Sequence, residues 1–381
     1  MKNALCYLDN AATTFPKPAN VSKEIYRCLN YYCGNAGRGS HKLSIFSAKK
    51  IYECREEICT LINAPSPENI VFVPSCSYGL NLIIKGVLTK GDHVLISDME
   101  HNSVYRPISR LAHDGVITFD TFSALTSNDK SDEIIIENIE KKLRKNTKLL
   151  ICTHQSNICS FALPIDKIGE LCKKYNILLA LDAAQSIGHY NIDIQKSNIS
   201  YISAPGHKGL YGPQGSAFVV INSKNILEPL IEGGNGIYSL ESTMPDFLPE
   251  RHEVGTLPLP SIVGLLEGIK EIKLYGIDEI STHERELYKY LCDGLQNINN
   301  IIVYAPEYEG NTLSFNHKEL STEQICSLLD QENICVRGGF HCSALGHTSL
   351  GTKETGTVRV SFGIYNKKND IDKLLTVINN L

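Results

Sequence analysis

Residues 177–185 read "ILLALDAAQ", five apolar residues that run without alternation into a carboxylate, Asp182. An unbroken apolar run of this kind marks a strand buried on both faces, the habit of a parallel sheet covered by helices. Ligands of such sheets sit beyond the carboxyl ends of the strands. Asp182 therefore stands where a site forms, and its charge needs donors or a cation to offset desolvation. The pattern repeats between residues 70 and 221 in "NIVFVPS", "HVLIS", "KLLICTHQ", "YISAPG" and "SAFVVIN", interleaved with helical stretches such as "IDKIGELCKKYN". The segments "PSCSYG", "HQSNICS", "DAAQS" and "APGHKG" follow these runs, so four loops converge on one rim. After about residue 260 come a long helix from "SIVGLLEGIKEI", a strand "NTLSFN", a helix opening on the capping-box-like "STEQ", strands "ICVRGG" and "TVRVSF", and a final helix from "KKNDIDKLL". The expected fold is α/β: a large domain with a mostly parallel sheet covered by helices, and a smaller α+β C-terminal domain. The large domain is placed at 16–258 and the small one at 1–15 with 259–381.

Length and charge narrow the chemistry. A chain of 381 residues is long enough for two cores and a sizeable cleft. A formal net charge of -5, with no dense Lys/Arg run, leaves no footprint for nucleic acid or an anionic membrane surface. The 13 cysteines are odd in number and lack paired CxxC spacing, which argues for a reducing compartment and mostly buried, inert thiols. No window approaches the roughly 18 apolar residues of a membrane span. The expectation is a soluble cytoplasmic protein acting on small molecules.

Residues 203–215, "SAPGHKGLYGPQG", hold Lys208 beside His207 in a turn rich in glycine and proline. Such a turn fixes its lysine, and the glycines read as room for a bound group. A desolvated lysine loses its proton readily and can form a Schiff base. Alone, Lys208 reads more simply as a surface or phosphate-contacting residue; with Asp182 as partner to a protonated pyridine nitrogen, the pair points to pyridoxal phosphate. In "NIVFVPSCSYGLNLIIKG" a strand turns into a helix with Ser75 and Ser77 at its start, where free amides and the helix dipole favour a phosphate. Serine is also an ordinary N-cap. His101, in "DMEHNSVYRP", is a rim histidine able to stack on a ring or relay a proton.

The motifs in order resemble the cysteine desulfurases, class V aminotransferase-like enzymes of fold type I among pyridoxal phosphate proteins. The likeness runs from "YLDNAATTFPKP" through "GDHVLISDMEHNSV", "SNICS", "LALDAAQSIGH", "SAPGHKGLYGPQG" and "VGTLPLP" to "TVRVSFGIYN" at 357–366. It implies that Lys208 carries the cofactor, Asp182 pairs with its ring nitrogen, Gln185 lies beside its phenolic oxygen and His101 stacks on its face. It places the phosphate on Cys76, Ser77, Ser203 and His207, with Thr256 reaching into the neighbouring subunit of a homodimer. Asn157 and Arg359 would hold the substrate carboxylate, which suits the guanidinium fork. One departure is "PSCSYG", where the family has a Gly-rich turn ending in threonine.

Reaction type turns on Cys342, in "VRGGFHCSALGH", which resembles the Arg-x-Gly-x-His-Cys loop of one desulfurase subgroup. A thiolate is the needed species, and Arg337, His341 or the cofactor's charge could lower the thiol's pKa. A metal held by His341, Cys342 and His347 lacks further paired ligands, and no metal is expected. The resemblance implies that L-cysteine is converted to L-alanine while its sulfur stays on Cys342 as a persulfide, then passes to an acceptor protein or thiol, as in iron–sulfur cluster assembly. Rival readings are a selenocysteine lyase acting on L-selenocysteine, another carbon–sulfur lyase or aminotransferase, and a non-catalytic cofactor-binding scaffold.

Overall fold

The computed structural model of the chain describes residues 5–37, 39–125, 131–225 and 227–381. The strands are β1 (Cys6–Tyr7), β2 (Ile70–Val73), β3 (His93–Ser97), β4 (Thr118–Phe122), β5 (Thr147–Thr153), β6 (Leu178–Asp182), β7 (Tyr201–Pro205), β8 (Ala217–Ile221), β9 (Ile301–Tyr304), β10 (Thr312–His317), β11 (Ile334–Cys335), β12 (Arg337–Gly339) and β13 (Thr357–Ser361). The α-helices are α1 (Ala19–Arg27), α2 (Lys42–Ile62), α3 (Cys76–Val87), α4 (Asn102–His113), α5 (Asp132–Glu140), α6 (Ile165–Tyr175), α7 (Leu259–Tyr275), α8 (Ile277–Gln296), α9 (Thr322–Gln331), α10 (Ala344–Ser349) and α11 (Lys368–Asn379).

Seven strands form the large sheet in the order β2-β8-β7-β6-β5-β3-β4. Only β8 runs antiparallel to its neighbours; the remaining pairings are parallel, as the unbroken apolar runs predict. Both faces are covered. Leu150, Leu179, Leu181 and Phe218 pack on one side with Ile58 of α2, Ile168 of α6 and Ile269 of α7. Val94, Ile151, Ala180 and Val219 pack on the other with Leu80 and Ile83 of α3 and Ile108 of α4. Burying a side chain of this size contributes roughly 1.5–3 kcal/mol, so the two layers fix where the strand ends lie.

The C-terminal part pairs β12-β13-β10-β9 in an antiparallel sheet, with β1 running parallel to β11 beside it. Its core joins Cys6 and Leu8 to Leu291, Phe315, Leu329, Val358 and Leu374. The early residues pack into this core, and α7 packs into the other. Ile262, Val263, Leu266 and Ile269 of α7 lie in the core of the seven-stranded sheet. The stretch "GTLPLPSI" leads into an apolar helix that closes the large core. The capping box of α9 is present: Ser321 caps Gln324 N–H, and the Gln324 side chain caps Ser321 N–H. No helix among the described residues is long and apolar enough to cross a membrane.

Candidate active site

The carboxyl ends of β5, β6 and β7 and the N-termini of α3 and α4 surround a cleft of about 540 Å³. Its walls include Cys76, Ser77, His101, Ser103, Asn157, Asp182, Gln185, His207 and Lys208. Asp182 ends β6 only 2% exposed, and burial raises its pKa. Its Oδ1 accepts from the Ala184 amide at 2.9 Å and from the Cys76 thiol at 3.7 Å. Among the described residues it makes no ion pair. Lys208 follows β7, and burial lowers its pKa against the opposing pull of Asp182. That environment favours the neutral, nucleophilic amine.

His101 is the N-cap of α4, its Nδ1 accepting from the Ser103 amide at 3.1 Å. The acceptor role leaves the ring proton on Nε2. Burial, with Lys208 and Arg337 adding to it, pulls the His101 pKa down to about 4, so the ring is neutral near pH 7. His207 is likewise pulled down to about 4 by burial and Lys208, and its Nδ1 lies 3.1 Å from Thr13 Oγ1. Gln185 is anchored by its amide, which donates to the Ala11 carbonyl at 3.1 Å. Ser75 caps α3 by accepting from Tyr78 N–H, and Ser77 Oγ sits 2.6 Å from Ser103 Oγ. Ser103 escaped the sequence reading; its signal is a hydroxyl two residues after a capping histidine, in "HNS".

One expected residue, Ser203, lies away from the cleft lining. Ser203 is fully buried within β7, and its hydroxyl donates to the Cys76 carbonyl at 3.1 Å beneath the first turn of α3, so it does not face the cleft. Pro205, one pleat further on, reaches the rim in its place. Thr256 is exposed on a separate groove with Tyr78 and Ile231, outside its own chain's cleft. The glycines around Lys208 also serve a different end. A Cβ on Gly209 would run into the Ile187 carbonyl and the His189 ring, and one on Gly212 would press on the Gly206 carbonyl and Leu265. They let chain segments cross; they do not make room for a ligand.

Cys342 is exposed and lies in an outer groove whose walls, Ser77, His101 and Ser103, are shared with the cleft. His341 and Cys342 both take left-handed backbone conformations, φ 46° and 57°, which cost about 1–2 kcal/mol per residue. Their carbonyls are held, His341 O by the Asn157 amide at 2.6 Å and Cys342 O by the Asn102 amide at 2.7 Å. The His341 ring is buried against the Thr357 carbonyl at 3.0 Å, and desolvation keeps it neutral. Arg337 Nη2 stands 3.9 Å from Cys342 Sγ. His347 Nδ1 pairs with Thr352 Oγ1 at 2.7 Å.

Arg359, on β13, is 1% exposed. Its Nη1 donates to the Asn157 carbonyl at 3.1 Å and its Nη2 to Asp9 Oδ1 at 2.7 Å, so the two expected carboxylate-binding residues meet.

A sequence profile described as "Aminotransferase class-V" matches residues 6–374. A protein of Pyrococcus abyssi named "Probable cysteine desulfurase" is 33% identical, covering 98% of this chain and 94% of its own length. The "Cysteine desulfurase" of Wigglesworthia glossinidia brevipalpis is 31% identical, with 97% and 90% covered. The apo structure of a cysteine desulfurase from Thermococcus onnurineus NA1 superposes with a TM-score of 0.89 at 29% identity, covering 99% of this chain and 94% of that one. With nearly every residue of the chain matched and its cleft built at the expected strand ends, the protein belongs to the class V aminotransferase family, alongside its cysteine desulfurases.

Proposed function

We propose that the chain is a pyridoxal phosphate-dependent cysteine desulfurase that converts L-cysteine to L-alanine and carries the sulfur as a persulfide on Cys342. The observation that carries this reading is that an exposed thiol lies in a groove sharing Ser77, His101 and Ser103 with the cleft that holds a half-buried lysine of lowered pKa. The residues present fit the cofactor. Asp182 is a buried carboxylate without an ion-pair partner among the described residues, suited to a protonated ring nitrogen. The first-turn amides of α3, with Ser77, Ser103 and neutral His207, suit a phosphate, while Gln185 and His101 line the space between. When bound, pyridoxal phosphate supplies an electron sink for the carbanion formed at the substrate's α-carbon.

The chain's own groups do the rest. Lys208 carries the cofactor and then, as a free amine, takes the α-proton. Asp182 keeps the ring nitrogen protonated. Arg359 and Asn157 hold the substrate carboxylate. The Cys342 thiolate attacks the substrate sulfur; the C–S bond breaks, its electron pair stays with the β-carbon, which takes a proton, and Lys208 returns a proton to the α-carbon to complete L-alanine. Enzyme thiol plus L-cysteine thus gives enzyme persulfide plus L-alanine, and an acceptor protein or thiol then takes the outer sulfur. Thr256, outside its own cleft, is free to complete the site of a second copy in a homodimer.

Mass spectrometry of the holoenzyme after exposure to L-cysteine checks the scheme: one sulfur is added on the Cys342 peptide, and C342A shows none and releases no alanine. Alanine release from L-cysteine by C342A would overturn the desulfurase reading and favour selenocysteine lyase-type chemistry. K208A is expected to lose the visible absorbance of lysine-bound cofactor.

A further inference from the structure

Arg359 is almost fully buried, yet the hydrogen bonds that set its orientation come from two distant parts of the chain. Asp9 Oδ1 takes one N–H of Nη2 at 2.7 Å, the Asn157 carbonyl takes one of Nη1 at 3.1 Å, and Nε has no acceptor. Asp9 is the one ion-pair partner of Arg359 among the described residues. It is itself fixed: its backbone bridges Ser361 two residues beyond Arg359, and Tyr7 Oη donates to its carbonyl at 3.2 Å. The link from Arg359 to the cleft runs through Asn157, which lines the cleft and whose carbonyl accepts from Arg359 Nη1.

We infer that Asp9 is a positioning residue for substrate recognition: it holds the Arg359 guanidinium so that the remaining N–H groups meet the amino-acid carboxylate. The inference rests on the reading of Arg359 as the carboxylate-binding residue. A guanidinium held by a carboxylate and a carbonyl cannot swing away, and its charge is half-matched before substrate arrives. Recognition is then a matter of fixed N–H geometry as well as net attraction. Without Asp9, the fork has one protein acceptor left and a buried charge with no counterion, so it reorients at the expense of the substrate contact.

The test compares L-cysteine with its methyl ester, which lacks the carboxylate, using wild-type holoenzyme, D9N and R359A. In D9N the KM for L-cysteine is expected to rise about tenfold with kcat within about twofold, while kcat/KM for the ester is unchanged. D9E, which restores the charge, is expected to recover part of the loss. Equal losses for acid and ester in D9N would show a merely structural role and overturn the inference. So would an unchanged KM in D9N where R359A raises it. If R359A leaves the KM for L-cysteine unchanged, the carboxylate-binding reading itself fails, and the inference with it. Should D9N fold poorly, D9S measured against the same two substrates gives the same comparison.

Discussion

Arg337 and His341 flank Cys342 as possible activators, and their surroundings separate them. His341 is buried, neutral and tied to Thr357, so it shapes the loop; Arg337 carries its charge to within 3.9 Å of the sulfur. A cation at that distance favours the thiolate. R337A is therefore expected to slow iodoacetamide alkylation of Cys342 roughly tenfold at neutral pH, because the cation 3.9 Å from the sulfur is lost. H341A is expected to alter loop order, read from the rate of proteolysis across residues 337–347, and to leave the alkylation rate near its original value. At this scale the sequence is informative wherever chemistry demands a residue type at a strand end, as with Asp182 and Lys208. It fails where depth along one face of a strand decides: Ser203 and Pro205 lie on the same face of β7, and only the seating of α3 against the sheet shows which reaches the cleft. Asp9 and Ser103 were illegible for a related reason, since each matters through a partner distant in sequence or already occupied.

At the scale of elements, the seating of α3 on the sheet is sensitive to a small change. Its Gly79 faces Ser203 Oγ and Val219 Cγ2, and an added Cβ would overlap both. G79A must lift the helix from the sheet and move the first-turn amides that face the cleft. The expected result is a drop of about tenfold or more in pyridoxal phosphate affinity, measured by titrating the apoprotein and following absorbance, with the fold retained in circular dichroism. The strand pattern and the α9 cap were readable because hydrophobic period and capping chemistry are local. The assignment of α7 was not, because an apolar helix after a proline-rich stretch carries no mark of which core it will fill.

The whole molecule buries titratable groups whose opposite shifts set its pH response. His101, His154, His207 and His252 are all pulled down to about 4, chiefly by burial. Between about pH 6.5 and 4 the unfolded chain binds protons that the folded chain refuses, so stability is full above 6.5 and falls as the pH drops. Glu100 is shifted the other way, up to about 8 by burial, with its Oε1 accepting from the Thr153 amide at 2.8 Å. From its ordinary value up to pH 8 the folded chain keeps a proton the unfolded chain has released, so this carboxyl takes away stability as the pH rises. Urea midpoints are expected to be highest near pH 6.5, and E100Q is expected to flatten the decline between pH 6.5 and 8 and to steepen the acid limb, where Glu100 opposes the histidines. The pairing of β1 with β11, and of Asp9 with Arg359 some 350 residues later, has a further consequence during synthesis. A growing chain can bring Lys208 and Asp182 together well before β13 leaves the ribosome, whereas Arg359 meets Asp9 only once nearly the whole chain has been made.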